Sequence, residues 1–212
     1  NDAVTSEIQE IAYNTGDSDS EDIGREQDWD ALKKINKEIV GWITIPDTVI
    51  DYPVLYHKGD DRYNQYYLHR NYKNESSDYG SVFVDYRSTD STDSRNVIMH
   101  GHDMLDGSMF AGMLKYSPKG DLKGDLKYYQ KHPVITFNTP KEDAKWKIIS
   151  VFKTSTRYEQ GEFFNYMQGD FNSDAEFMNF VYNCRIRSMF DIPVTCNEND
   201  QIITLSTCCY EF

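Results

Sequence analysis

The chain has 212 residues, of which 39% are hydrophobic and 14% aromatic, including 16 Tyr and 11 Phe. That is enough apolar material for a folded core, so wholesale disorder, collagen-like and coiled-coil architectures are excluded, and no apolar run is long enough to span a membrane. The net charge is −13, and residues 1–30 hold −9 of it through ten acids and one base; an acidic chain with no basic stripe repels phosphate backbones, which excludes nucleic acid as a partner.

The chain opens at Asn1 with neither Met nor signal peptide, and reads as a processed product or a piece whose front lies elsewhere. The acidic, Ser-rich stretch Thr15–Asp22 reads as a flexible stalk, giving residues 1–25 as stalk and 26–212 as a single domain. Glu26–Val40 has Trp29, Leu32, Ile35 and Ile39 near one helical face, with Gly41 as the stop. Trp42–Ile45 and Val49–Val54 flank a Pro46–Asp47 turn and read as a strand pair.

Further along, Gly80–Tyr86 alternates as a strand, Ser88–Ser94 is a polar loop, and Asn96–Met99 is a short buried strand that runs into His100-Gly101-His102. Gly107–Tyr116 suits a short helix with Met109, Phe110, Met113 and Leu114 inward. Val134–Phe137 and Trp146–Phe152 read as strands. Ser173 and Glu176 have capping-box spacing and open a helix to about Met189, with Phe177, Phe180, Val181 and Cys184 on one stripe. Gln201–Thr207 is the last strand. Many short strands with few helices predict a mainly β domain, a barrel or sandwich with helices packed outside.

The four cysteines are Cys184, Cys196, Cys208 and Cys209, with no CxxC spacing for zinc or dithiol chemistry. Cys184 suits a helix core, and its pairing with Cys196 is left open. The adjacent Cys208 and Cys209 favour free thiols, since an adjacent pair bonds only with strain.

Two apolar strands end in reactive groups: Asn96–Met99 leads to His102, and Thr204–Thr207 leads to Cys208. A thiol becomes a strong nucleophile as the thiolate, which a nearby His stabilises, and that His can then protonate a leaving amine. The residues taken singly also fit ordinary packing, with Cys208 as core and His102 as a loop histidine. The paired imidazoles of His100 and His102 lack evident third and fourth ligands, so no metal or other cofactor is expected.

TLSTC at 204–208 and the N-x-x-x-x-G-H run at 96–102 together resemble the signatures of sortases. Ile50-Asp51-Tyr52-Pro53-Val54, the GSVFVDYR segment at 80–87, Met109-Phe110 and Lys153-Thr154-Ser155-Thr156 resemble class B members in particular, as do the helix at 173–189 and the helical N-terminal segment. The resemblance covers about Trp29 to Phe212.

It implies a closed β-barrel of about eight strands, with N-terminal helices and an extra helix before the nucleophile strand. It also implies a membrane-anchored cysteine transpeptidase on the extracellular face of the cytoplasmic membrane. Such an enzyme cuts the sorting motif of a secreted protein after Thr, often of the NPxTx kind, and passes the product to a peptidoglycan or pilin amine. Cys208 would be the nucleophile and His102 the general acid and base. Asn64, Leu68, Thr156 and Ser206 would contact substrate. His100 would be a neighbour that tunes the site, and Cys209 would point away from it. The family's strand-borne Arg has no counterpart within the four residues after Cys208, so a further strand carrying it is expected beyond Phe212. Two other readings stay open: a cysteine hydrolase with the same dyad, and a non-catalytic surface barrel.

Overall fold

The computed structural model describes residues 2–13, 27–58, 66–117, 124–155 and 162–208. Thr15–Asp22, Asn64, Thr156 and Cys209 therefore lie outside the described residues. Seven strands form one sheet: β1 Ile39–Thr44, β2 Asp51–Leu55, β3 Val82–Val84, β4 Asn96–His100, β5 Val134–Asn138, β6 Asp143–Lys147 and β7 Ile202–Ser206. Their order is β6-β5-β1-β2-β3-β4-β7, and the sheet curls into a nearly closed barrel with one seam, between β6 and β7. The expected count was about eight; seven are present among the described residues. Most pairings are antiparallel, but β2 with β3 and β4 with β7 run parallel.

Alternation along the strands divides the apolar residues between cores. Ile43, Val54, Val82, Val84, Val97, Met99 and Phe137 fill the barrel interior with Phe110. Trp42, Leu55 and Phe83 face outward, where Leu32 of α2 (Trp29–Ile35) covers them together with Ile8 and Ala12 of α1 (Asp2–Ala12). A third cluster joins Phe177, Phe180, Val181 and Cys184 of α4 (Asp174–Ile186) to Ile202 of β7.

The first helix overturns the expected stalk for residues 2–13. Ile8 and Ala12 are buried, and the Asp28 N–H donates to the Ala12 carbonyl at 2.8 Å. The clasp is the Asp51 carboxylate, which accepts from the Trp42 indole at 2.6 Å, the Tyr13 hydroxyl at 2.7 Å, Thr44 at 3.0 Å and Gln9 at 3.1 Å. A carboxylate offers acceptors only, so four donors converge on it without a competing proton. Burial, then the Asp51 charge, raises the Tyr13 phenol well above its ordinary range.

The expected helix over 26–40 is cut short. It starts at the Asp28 cap, whose side chain accepts from the Ala31 N–H, and stops at Ile35. Asn36 ends it in extended backbone, its amide donating to the Tyr67 hydroxyl and the Tyr72 carbonyl. Ile39 then enters β1 opposite Leu55, so its helical spacing was coincidental and its burial belongs to the sheet.

The expected strand at 146–152 gives way to β6 over 143–147, followed by an unladdered stretch. Its apolar character has another cause: Ile148 and Val151 pack on the barrel core while Ile149 and Phe152 pack on the α4 cluster. Its polar groups bond to residues in and after α4, as when Ser150 donates to the Cys184 carbonyl at 2.6 Å and Val151 accepts from Met189 N–H at 2.8 Å. In α4 itself, Ser173 accepts from Glu176 N–H as the capping box requires, while the Glu176 carboxylate reaches back to the Asn172 N–H. A fourth helix, α3 (Leu126–Lys131), was not foreseen, and the expected helix over 107–116 is a 3-10 helix, Phe110–Tyr116. No helix among the described residues is long and apolar enough to cross a membrane.

Candidate active site

The two reactive motifs lie on neighbouring strands. β4 and β7 run parallel and in register for five residues, from Asn96 opposite Ile202 to His100 opposite Ser206. Parallel strands end at the same rim, so each chain leaves the ladder there. Gly101 N–H donates to the Ser206 carbonyl at 3.2 Å, and the Thr207 hydroxyl donates to the Gly101 carbonyl at 2.8 Å. His102 and Cys208 therefore follow next, each two residues past a matched pair.

On the His102 side, the backbone is pinned by Phe110, whose N–H donates to the His102 carbonyl at 2.8 Å. The Phe110 ring is fully buried and lies over Gly101, where an added methyl carbon would sit 2.6 Å from a ring carbon. Glycine before the histidine thus has a packing reason. The His102 imidazole donates from Nε2 to the Leu68 carbonyl at 2.7 Å, and the His69 ring lies 6.1 Å away between centroids. Leu68 belongs to a 3-10 turn, Tyr66–His69.

On the thiol side, Cys208 is exposed, in contrast to buried Cys184 and half-buried Cys196. Burial pushes the Cys184 thiol up to about 12 and Cys196 up to about 11, which keeps both protonated and inert near neutral pH. Both are free, which closes the question of their pairing. Ser206 shares a hydrogen bond of 2.8 Å with the Tyr166 hydroxyl. Burial raises the Tyr166 phenol, opposed by the Ser206 bond and reinforced by the charges of Cys208 and Asp85. Tyr166 thus stands beside β7, bonded to the residue two before the thiol.

His100 takes a different partner from His102. Its Nε2 lies 2.7 Å from Asp85, which also accepts from the Arg87 guanidinium at 3.0 Å and from the Arg87 N–H at 2.8 Å. Burial alone would raise the Asp85 carboxyl, but the His100 bond, the Arg87 N–H and the electrostatic pull of His100 and Arg87 hold it below its ordinary value.

Of the six residues expected at the site, His102, Leu68, Ser206 and Cys208 fall at or beside one rim, while Asn64 and Thr156 lie outside the described residues. Sequence reasoning missed Tyr166 and the Asp85–Arg87–His100 cluster. Tyr166 carries no motif, and only its place in an aromatic run, Phe163-Phe164-Asn165-Tyr166, set it apart. Among the described residues, no three His, Cys, Asp or Glu side chains gather as a metal site would need.

No family model matches the chain. Among curated proteins it is 39% identical to Sortase B of Listeria monocytogenes over 177 residues, which cover 84% of this chain and 65% of that protein. It is 32% identical to Sortase B of Staphylococcus aureus over 180 residues, covering 85% of this chain and 67% of that one. The chain thus spans about two thirds of the length of these relatives. Among solved structures, a Bacillus anthracis protein described as similar to sortase B superposes with a TM-score of 0.80 at 36% identity, covering 98% of this chain and 90% of that one.

Proposed function

The chain belongs to the sortase B family, and on that premise we propose that it is a cysteine transpeptidase that joins a secreted protein to a cell-surface amine. The Cys208 thiolate attacks the carbonyl carbon of the Thr in a sorting motif, forming a C–S bond. His102, as the imidazolium, gives its proton to the nitrogen that leaves as the C–N bond breaks. An incoming amine then attacks the thioacyl carbon, His102 takes up the amine's proton, and the thiolate departs as the new amide forms. Leu68 and Ser206, with Asn64 and Thr156, contact the sorting peptide, and the motif is of the NPxTx kind. The acceptor is an amine of a peptidoglycan precursor or pilin, and the enzyme works at the outer face of the cytoplasmic membrane, held there by an N-terminal anchor.

The observation that carries this reading is the matched parallel register of β4 and β7, which ends both motif strands at one rim. Related solved structures support the two classes of partner: a Staphylococcus aureus sortase B–substrate complex (TM-score 0.72, 28% identity) and a sortase B complexed with triglycine (TM-score 0.72, 31% identity). The exposure of Cys208 counts against a merely structural thiol. The test is cleavage of a fluorogenic NPxTx peptide with and without triglycine, followed by mass spectrometry. Product carrying triglycine is expected. Cleavage with only free carboxylate product would make the chain a cysteine hydrolase, and no cleavage with no thiol trapping would make it a binding barrel.

A further inference from the structure

The bond between His102 and the Leu68 carbonyl carries information about the proton on the ring. A carbonyl oxygen has no hydrogen to offer, so this contact requires a proton on Nε2, whether the ring is charged or neutral. In the neutral ring, the lone pair is then on Nδ1. The carbonyl is itself fixed in place. Its neighbours along the chain are all claimed by one loop: Ser81 N–H donates to Tyr67 at 2.9 Å, Ser77 N–H to His69 at 3.0 Å, and the Ser81 hydroxyl to Arg70 at 2.8 Å. The Leu68 carbonyl lies beside the same loop and accepts from His102.

Between Ser77 and Ser81 stands Gly80, at φ +58°, in the left-handed region that favours glycine. A methyl carbon there would sit 2.4 Å from the Leu68 oxygen and 2.8 Å from the Tyr67 oxygen. Any side chain at 80 would therefore push on the very carbonyl that holds the imidazole. From this geometry we propose that the Leu68 carbonyl, held by the Gly80–Ser81 loop, is a positioning group that fixes His102 as the Nε2–H tautomer, leaving Nδ1 as the atom that exchanges protons with Cys208 and the reacting amines. The tautomer is a property of the free chain. Its use in catalysis rests on the reading of His102 as the acid and base.

The experiment is two-bond proton–nitrogen NMR on the chain labelled with [15N-imidazole]histidine, with His102→Gln assigning one signal set among the five histidines. Neutral His102 is expected to show a pyrrole-type Nε2 and a pyridine-type Nδ1, and to keep that pattern in Cys208→Ala. A neutral ring protonated on Nδ1, or one averaged between tautomers, would overturn the proposal. Gly80→Ala should blur the pattern and lower kcat by about a hundredfold, with KM changing far less, as expected for a catalytic group misplaced by about 1 Å. Should that variant fail to fold, Ser81→Ala, which removes one of the three clasps, is read with the same two measurements and should move both in the same direction. An unchanged pattern and unchanged kcat in the folded variant would also overturn the proposal. A fixed Nε2–H signature in a chain that cleaves no sorting peptide would instead sink the proposed function and leave the tautomer standing.

Discussion

Gly101→Ala separates the packing of the site from its chemistry. The added methyl carbon would lie 2.6, 2.7 and 3.1 Å from three carbons of the Phe110 ring. That ring is fully buried in the barrel core, and its backbone N–H holds the His102 carbonyl. Neither side can simply retreat, because interiors are close-packed. Overpacking of this kind costs about 1–3 kcal/mol. In a chain of this size that corresponds to a fall of about 2–12 °C in melting temperature. The greater effect is on turnover: relieving the clash moves either residue 101 or the Phe110 segment, and both are bonded to the backbone that carries His102. A displacement near 1 Å should cost about a hundredfold in kcat. The assay pairs thermal melting with cleavage of the sorting peptide, in Gly101→Ala, Phe110→Leu and the double variant. The smaller Leu should recover part of the loss, with a favourable coupling of about 0.5–3 kcal/mol in stability. Wild-type melting and turnover in Gly101→Ala, or strictly additive losses in the double variant, would show that Gly101 is not there to admit the ring.

Three further outcomes are expected. Cys208→Ala should abolish cleavage while leaving the melting curve nearly unchanged, His102→Ala should do almost the same, and Cys209→Ala should be close to silent; activity surviving in Cys208→Ala but lost in Cys209→Ala would reassign the nucleophile. Because the folded Asp85 carboxyl is held below its ordinary value, its ionisation contributes stability that is fully present above the unfolded carboxylate range and is lost as pH falls through the folded pKa; melting of wild type against Asp85→Asn should therefore show a gap near neutrality that narrows as the solution is made strongly acidic, and a gap that widens would reverse the sign. Cleavage in excess EDTA should equal cleavage without it, and a large loss restored by one cation would reveal a metal requirement.

What could be read from the sequence, and what could not, divides along a physical line. Strand cores such as Val97-Ile98-Met99 and Ile202-Ile203 were legible because burial writes itself into composition. The helix at 173 was legible because its cap is a local hydrogen bond. The failures came where an apolar residue answers to a distant partner. Ile39 fell on a helical stripe but pairs with Leu55 across a sheet. Residues 148–152 are apolar on both faces because two cores meet there, which a sequence window reads as a strand. The first helix was hidden by the acidic, Ser-rich stretch that follows it, which suggested a stalk for all of residues 1–25, while Ile8, Ala12 and the donors to Asp51 gave the helix a docking face.

The site divides in the same way. The thiol and imidazole stand in short motifs, whereas the groups around them come from chain segments far away in sequence. Leu68 lies 34 residues from the histidine it contacts, and Tyr166 lies 40 from Ser206. What joins them is the parallel pairing of β4 with β7. An antiparallel pair would send the two strand ends to opposite rims, and a one-residue slip would turn one of the two side chains to the other face. Side chains two apart on a strand share a face, so Ser206 and Cys208 point alike as far as the extended backbone continues. The same alternation would give His100 and His102 a common direction. Their partners nonetheless differ, Asp85 for one and the Leu68 carbonyl for the other, and the strand ends between them, before Gly101, the residue with the Phe110 ring above it. One short strand thus holds an Asp85-bonded histidine within the sheet and leads to a second at its rim, beside the strand that leads to the thiol.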